Sequence, residues 1–363
     1  MRVTTLAWLA CPAPGCAGPL SVGNGVPPRW AEAGETELLE GILVCGSCGA
    51  EYPVILGAAV LVPEQDRYLW AFWNDIERCA TEIAGAEISN TIRAYLGIPG
   101  VHIGRAEPDD PWDQSLDWTT SPYIQAHFDT GSLTSDLPQG WWQEAVGRFG
   151  AESVDPYRYL VATAQGMTGQ ARGLAVEVGT GVGRTTADLA ADYRFCVGVD
   201  WSFRAVLTAR RLLLSQPSAL EAYPLEGERG QSVDHTLRPL RSPGNLDYVV
   251  ADGAALPFSH AGASCVAALN VLCAVADPRR LIEEIRRVAA PGGLLLLSSP
   301  YWPDSEPGFQ KSPLALGDPY EMRAALEPSF EILADREMVP WMLRLAKRRW
   351  NVYLCHCLVA TRR

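Results

Sequence analysis

The stretch that decides the fold is Val176-Glu-Val-Gly-Thr-Gly-Val-Gly-Arg184. A short apolar run, 174–178, leads straight into its glycines and reads as a buried strand. Glycine at 179, 181 and 183 lets the backbone turn and approach a ligand with no Cβ in the way. Residues 184–193 then read as a helix, whose first N–H groups are free to meet an anion. A dinucleotide fingerprint needs Gly-x-Gly-x-x-Gly, and counted from Gly179 its last glycine falls on Arg184. The spacing is Gly-x-Gly-x-Gly, which argues against a nicotinamide cofactor.

Outward from this loop the alternation continues. Residues 195–199 form a second strand ending at Asp200, an acid placed to accept both hydroxyls of a ribose. A helix is expected over 205–214, strands over 246–251 and 264–269, and a helix over 279–289 that Pro291-Gly292-Gly293 should stop. Glu283 and Glu284 lie one turn before Arg287 on that helix, and 294–298 is a wholly apolar strand. Alternating strands and helices mean a parallel sheet covered on both faces, with ligands outside the carboxyl ends of its strands. The expected architecture is α/β, a doubly wound Rossmann-like sheet over 166–363. A Gly-, Pro- and Cys-rich block, 1–63, and an aromatic-rich helical segment, 64–165, precede it.

Val176–Arg184 is succeeded in order by Gly198-Val-Asp-Trp-Ser202, Asp252-Gly-Ala-Ala-Leu-Pro-Phe258, Asn270-Val-Leu, Asp277-Pro278 and Arg286-Arg-Val-Ala-Ala-Pro-Gly-Gly293. This series resembles the class I S-adenosylmethionine (SAM)-dependent methyltransferases of type 11. The resemblance implies that Glu177, Gly179, Thr180, Gly181 and Gly183 line the methionine part of SAM. It implies that Asp200 holds the ribose beside Trp201 and Ser202, that Asp252, Gly253 and Ala254 read the adenine edge, and that Asn270 sits under the sulfonium. A polar insert at 223–245, Ser299-Pro-Tyr301 and a C-terminal Arg-x-x-x-Arg stretch look like the mercaptohistidine methyltransferases. Trp302-Pro-Asp-Ser-Glu306 only partly matches the acidic and aromatic segment usual at that point in the family, so no substrate is carried over.

Cys11-x4-Cys16 and Cys45-x2-Cys48 are two close pairs able to give four thiolates to one Zn²⁺, with Gly15, Gly46 and Gly49 suited to the turns. Through Gly57-Ala-Ala-Val-Leu-Val-Pro63 this block resembles the zinc-ribbon activator subunit of tRNA and release-factor methyltransferases, here in one chain with the catalytic region. Its first gap is wider than the usual two residues. A closed set of four ligands implies structural zinc that supplies folding energy. Cys355-His356-Cys357 reads differently: strand alternation puts both cysteines on one face and His356 on the other, a core pattern.

The formal net charge of -12 argues against long nucleic-acid duplexes and anionic membranes as partners. No apolar run is long enough to cross a bilayer, and the first residues lack the features of an export signal. The expected compartment is therefore the cytoplasm, where close cysteine pairs suggest metal rather than disulfides. The expected acceptor is a small molecule or peptide. Methyl transfer needs alignment above all, and a general base only where the acceptor starts protonated. Tyr301, by position, and His127, by composition, are the candidates for that work. The many tryptophans of 64–165 are core or an acceptor cage, and Arg344, Lys347, Arg348 and Arg349 are a solvated face or a carboxylate clamp. The alternatives are a tRNA or translation-protein methyltransferase docking through the ribbon, against which the absence of Asn-Pro-Pro-Tyr counts, and a SAM-binding scaffold without turnover.

Overall fold

The computed structural model describes residues 1–31, 35–98, 123–124, 126–128, 155–167, 172–214, 244–301, 316–346 and 349–363. Trp112, Trp118, Trp141, Trp142 and Trp302, nearly all of the 223–245 insert, and the side chains of Arg344, Lys347, Arg348 and Arg349 lie outside the described residues.

Five strands come first: β1 (Leu20–Val22), β2 (Arg29–Trp30), β3 (Leu38–Cys45), β4 (Glu51–Ile55) and β5 (Ala58–Leu61). Helices α1 (Gln65–Glu82), α2 (Asn90–Tyr95) and α3 (Pro156–Gly166) come next. The alternating part runs β6 (Leu174–Val178), α4 (Arg184–Leu189), β7 (Phe195–Asp200), α5 (Phe203–Leu213), β8 (Leu246–Ala251), β9 (Ala263–Leu269), α6 (Pro278–Val288) and β10 (Ala289–Ser299). Helix α7 (Pro319–Leu326) and two long strands, β11 (Phe330–Ala346) and β12 (Arg349–Arg362), complete the fold.

All of these strands join one sheet in the order β1-β3-β4-β5-β8-β7-β6-β9-β10-β12-β11, with β2 paired to β3. Its centre, from β5 to β10, is parallel. Strand order reverses between β6 and β9, where a doubly wound sheet opens a crevice at its carboxyl edge. One face buries Tyr68, Leu160, Val206 and Leu207 from α1, α3 and α5. The other buries Leu281, Ile285, Met322 and Leu326 from α6 and α7.

Local chemistry sets the helix ends. Ser202 Oγ accepts the Ala205 N–H at 3.2 Å to start α5, and Asp277 caps α6 through the Arg280 N–H at 3.1 Å, with Pro278 at its first position. Helix α4 is shorter than 184–193, because Asn245 Nδ2 donates to the carbonyls of Ala190 and Tyr193 at 2.9 and 2.8 Å and closes that turn as a loop. Helix α6 ends at Val288, one residue before the expected end and ahead of Pro291-Gly292-Gly293. Those three residues fall in an irregularity at the start of β10: Ala289 pairs with Ala263, and regular pairing resumes at Leu294 and Cys265.

The cysteine-bearing block is built into the main sheet. Val60 pairs with Val250 and Leu61 with Ala251, so β5 extends the parallel sheet beyond β8. A buried ion cluster locks this junction: Arg210 of α5 meets Asp247 of β8 and Glu37 before β3, while Thr5 Oγ1 and the Arg2 N–H reach Asp247 Oδ2 at 2.7 and 2.8 Å. Burial alone would raise the Asp247 pKa, but the Arg210 guanidinium, the N-terminal ammonium and the hydrogen bonds from Thr5 and Arg2 together outweigh it and hold this carboxyl below its usual value.

Candidate active site and metal centre

Four loops converge at the carboxyl ends of β6, β7, β8 and β9. After β6 the chain turns through Gly179, Gly181 and Gly183, all at positive φ (71°, 51° and 84°). Two of these glycines are held by close packing: a Cβ on Gly179 would lie 2.7 Å from Val271 Cγ2, and one on Gly183 would lie 2.8 Å from Ala209 Cβ and the Tyr248 ring. Gly181 differs, because its Cβ position has no heavy atom within 4 Å. It borders the open space where a bound molecule would lie.

Glu177 underpins this turn. Its Oε2 accepts from the Thr186 N–H at 2.7 Å, from Thr180 Oγ1 at 2.9 Å and from Thr186 Oγ1. Burial pushes its pKa up to about 7, with these donors opposing the rise. Asp200, at the tip of β7, accepts the Gly181 N–H on one oxygen and the Ser202 N–H on the other, both at 2.9 Å. Its pKa is raised by burial and restrained by those amides. The glycine turn and the acid are therefore one hydrogen-bonded unit.

Trp201, next along, is half exposed, and its carbonyl accepts from Tyr68 Oη of α1 at 2.8 Å. The Tyr68 ring stands edge-on to the indole at 4.9 Å between centroids. After β8, Asp252 Oδ1 accepts the Ala254 N–H at 2.8 Å, fixing the Asp252-Gly253-Ala254 turn. After β9, Asn270 adopts φ 54° and is tied to Ser298 in both directions: its N–H reaches the Ser298 carbonyl at 2.9 Å, and Ser298 Oγ donates to its Oδ1 at 2.8 Å. The twelve residues expected at the cofactor thus lie in these four turns or at the strand ends that lead into them. An open glycine turn with an ordered acid beside it suits an adenosyl sulfonium.

An aromatic wall stands beside Asn270. Asn270 Nδ2 donates to Tyr157 Oη of α3 at 3.5 Å. Tyr157 meets the His127 ring edge-on at 4.5 Å and Trp341 of β11 at 5.6 Å; Trp341 in turn contacts Tyr123 at 5.6 Å and Tyr353 at 5.2 Å. Among the described residues the buried Trp341 Nε1–H has no hydrogen-bond partner, and an unsatisfied buried donor costs about 1–3 kcal/mol. Burial, reinforced by Arg184 and Arg158, lowers the His127 pKa to about 3. Neither Trp341 nor Tyr353 carries a signal in the sequence; they pair with each other across the β11–β12 hairpin, which joins the sheet through β10.

Tyr301, just past β10, holds φ 55° and touches His356: its Oη lies 2.5 Å from His356 Nδ1. His356 Nε2 lies 2.8 Å from Asp335 Oδ1. Cys355 and Cys357 face the opposite core, as alternation predicts. Asp335, Glu337 and His356 cluster closely enough to suggest metal ligands. Arg323 already pairs with both carboxylates at 2.6 and 2.8 Å, so a cation there would have to displace a guanidinium.

The four N-terminal cysteines converge as expected. Cys11 and Cys48 sulfurs are 3.7 Å apart, those of Cys16 and Cys45 3.5 Å, and all four lie within 4.8 Å of one another. Tetrahedral Zn–S bonds of about 2.3 Å separate sulfurs by roughly 3.8 Å, so the set fits one ion. Burial raises the Cys11 pKa to about 12. At Cys45 burial has the same sense, but the amides of Cys48 and Ser47 outweigh it and hold the thiol at about 6.

Residues 176–297 match a methyltransferase domain family of type 11. No curated protein sequence matches the chain significantly. Among solved structures, a chain of the complex between the Haloferax volcanii Trm112 methyltransferase activator and a methyltransferase is similar at 16% identity and a TM-score of 0.41, over 63% of this chain and 96% of that one. The YcgJ protein of Bacillus subtilis is similar at 12% identity and a TM-score of 0.41, over 57% and 97%. A SAM-dependent methyltransferase from Aquifex aeolicus is similar at 14% identity and a TM-score of 0.37, over 62% and 98%. Identities this low carry no information on substrate.

Proposed function

We propose that this chain, a SAM-dependent methyltransferase by its domain at residues 176–297, methylates a nucleophilic nitrogen, oxygen or sulfur of a small molecule or peptide. When bound, SAM supplies an electrophilic methyl group on a sulfonium. The 179–183 turn would receive its methionine part, with Glu177 ordering that turn. Asp200 would hold the ribose, and Trp201 and Ser202 would flank it. Asp252, Gly253 and Ala254 would meet the adenine, and Asn270 would sit toward the sulfonium. The protein's main contribution is alignment, since a well-oriented pair of reactants gains effective molarities of about 10⁵–10⁸ M.

The observation that carries the acceptor class is the wall of Tyr123, His127, Tyr157, Trp341 and Tyr353 beside Asn270. Its rings suit a flat or cationic acceptor of modest size. With its pKa lowered to about 3, His127 is a weak proton acceptor and serves as wall rather than base. The cysteine group supports structural zinc, measurable as close to one zinc per chain.

The test is label transfer from methyl-labelled SAM to a small-metabolite fraction, a peptide fraction and total tRNA, offered separately. Incorporation into metabolites or peptides is expected. Incorporation into tRNA alone would overturn the acceptor class and favour the macromolecular reading, against which the net charge of -12 counts. SAM binding without incorporation anywhere would favour the scaffold.

A further inference from the structure

Arg184 is the first residue after the glycine turn, and its side chain reaches the aromatic wall. Its Nε donates to Asp188 one turn on, with both carboxylate oxygens at 2.9 Å, which fixes the plane of the guanidinium. Nη1 donates to the His127 carbonyl at 2.8 Å, a charge-assisted bond to backbone. The guanidinium also lies over the Phe128 ring, 5.7 Å from its centroid. An ion pair, a backbone hydrogen bond and a ring face thus hold one cation at the mouth of the cofactor turn.

Helix stability does not account for a cation at this position, because positive charge in the first turn opposes the helix dipole. Two of its three contacts lie outside α4, on residues 127 and 128. From there the contacts run on into the wall. The His127 ring stacks on Tyr123 at 6.3 Å and meets Tyr157 edge-on at 4.5 Å. Tyr157 Oη accepts from Asn270 Nδ2 at 3.5 Å, and its N–H is held by Asp155 Oδ1 at 2.8 Å. The wall is therefore fastened to the cofactor loops at two points: the turn after β6 through Arg184, and the turn after β9 through Asn270. Phe128, Tyr157 and Trp341 share one core with Ala187 and Leu189 of α4, so the wall and the fastening helix pack on the same face of the sheet.

We propose that Arg184 is a positioning residue for the methyl acceptor: it seats residues 126–128, and through them Tyr157, against the cofactor turn, so that acceptor wall and methyl donor keep a fixed register. The proposal rests on the reading of the wall as the acceptor site and adds the residue that sets that site against SAM. Arg184 acts through His127 and Phe128. Without it the wall is correctly seated for only part of the time, and apparent acceptor affinity falls by that fraction. Acceptor bound to a seated wall reacts as before, so the loss falls on KM rather than kcat.

The experiment uses the full chain, methyl-labelled SAM and a dilution series of the metabolite or peptide fraction that accepts label. SAM affinity is measured by calorimetry on the same preparations. Arg184→Met keeps an unbranched apolar stem beside Phe128 and removes the guanidinium. It should raise the half-saturating amount of the fraction about 10-fold, hold the limiting rate within about threefold and change SAM affinity less than about twofold. Phe128→Leu should shift half-saturation the same way by about threefold, and the double variant should add little to Arg184→Met, because both act on one seat. Should Arg184→Met fail to fold, Arg184→Lys serves instead: it keeps the charge without the fork and should shift half-saturation several-fold. A folded variant that saturates at the wild-type amount would overturn the proposal. So would an equal loss of SAM affinity, which would put Arg184 in the cofactor site, or a loss confined to the limiting rate, which would mark a structural role alone. Trp341→Leu, within the wall, separates this proposal from the reading beneath it. A shift with Trp341→Leu and none with Arg184→Met keeps the wall as acceptor site and sinks the role of Arg184. No shift with either means that the wall is not the acceptor site, and the proposal falls with that reading.

Discussion

The two flanks of the sheet solve the same problem differently. Both extend the parallel centre with antiparallel strands, β4-β3-β1 on one side and β12-β11 on the other. The first flank is made of short strands, the longest Leu38–Cys45, held by a cysteine cluster and the Arg210–Asp247–Glu37 charges. The second is made of two strands of 17 and 14 residues whose pairing runs almost their whole length. A short-stranded flank buries little apolar surface of its own and depends on a few strong local ties. A long hairpin is held by many weak ones, and sets buried side chains such as Trp341 and His356 on its two opposite faces. The flanks should therefore fail in different ways.

The largest effect is expected at the cysteines. Chelating the metal, or Cys45→Ser, removes a tie whose apparent binding free energy in small zinc domains is roughly 10 kcal/mol or more. Because β5 pairs with β8, the loss should spread into the sheet and lower the midpoint of thermal unfolding. A metal-free chain that melts where the zinc-loaded one does would erase the contrast between the flanks. Next in size is Arg210→Met, which leaves Asp247 buried without its counter-charge and should cost about 3–5 kcal/mol in chemical denaturation. The double variant Arg210→Met, Asp247→Leu should recover part of that loss, and no recovery would mean that packing around Arg210 sets its cost.

The hairpin flank should instead show itself in acid. His127, packed on Tyr157 beside the hairpin, has its folded pKa lowered from 6.5 to about 3. The unfolded chain binds that proton first, so this contribution is fully present above pH 6.5. It falls by roughly 1.4 kcal/mol per pH unit between 6.5 and 3. Glu177 works the other way, its raised pKa of about 7 favouring the folded chain at the lower pH values. His127→Phe should therefore flatten the acid loss of stability, read from denaturation at pH 7 and pH 5. The smallest effect expected is at Tyr68→Phe. It removes one bond to the Trp201 carbonyl, worth about 1 kcal/mol, and should weaken SAM binding several-fold, because α1 of the first flank then no longer clamps the turn after Asp200.

What could be read from the sequence was whatever is local. The 179–183 turn, the acids ending β7 and β8, and the cysteine pairs each announce themselves within a few residues, because the chemistry depends on backbone conformation and close spacing. Pairings distant in sequence left no such mark. Ala58–Leu61 is too short and too plain to show that it would join β8. His356 fitted a core alternation, and its burial agrees with that pattern. Its partners Tyr301 and Asp335 stand 55 and 21 residues away, so nothing nearby announced those bonds. Tyr68, anchoring Trp201 from 133 residues away, was equally invisible.

The cradle formed by the 179–183 turn and Asp200 is the centre of the proposed chemistry, and titrating SAM into the protein by calorimetry tests it most directly. One molecule should bind per chain, and Asp200→Asn, which weakens a charge-assisted contact of about 1.5–3 kcal/mol, should raise Kd by roughly 10- to 100-fold. Absence of binding to the wild type, or an Asp200→Asn protein that binds SAM as tightly as the wild type, would contradict it.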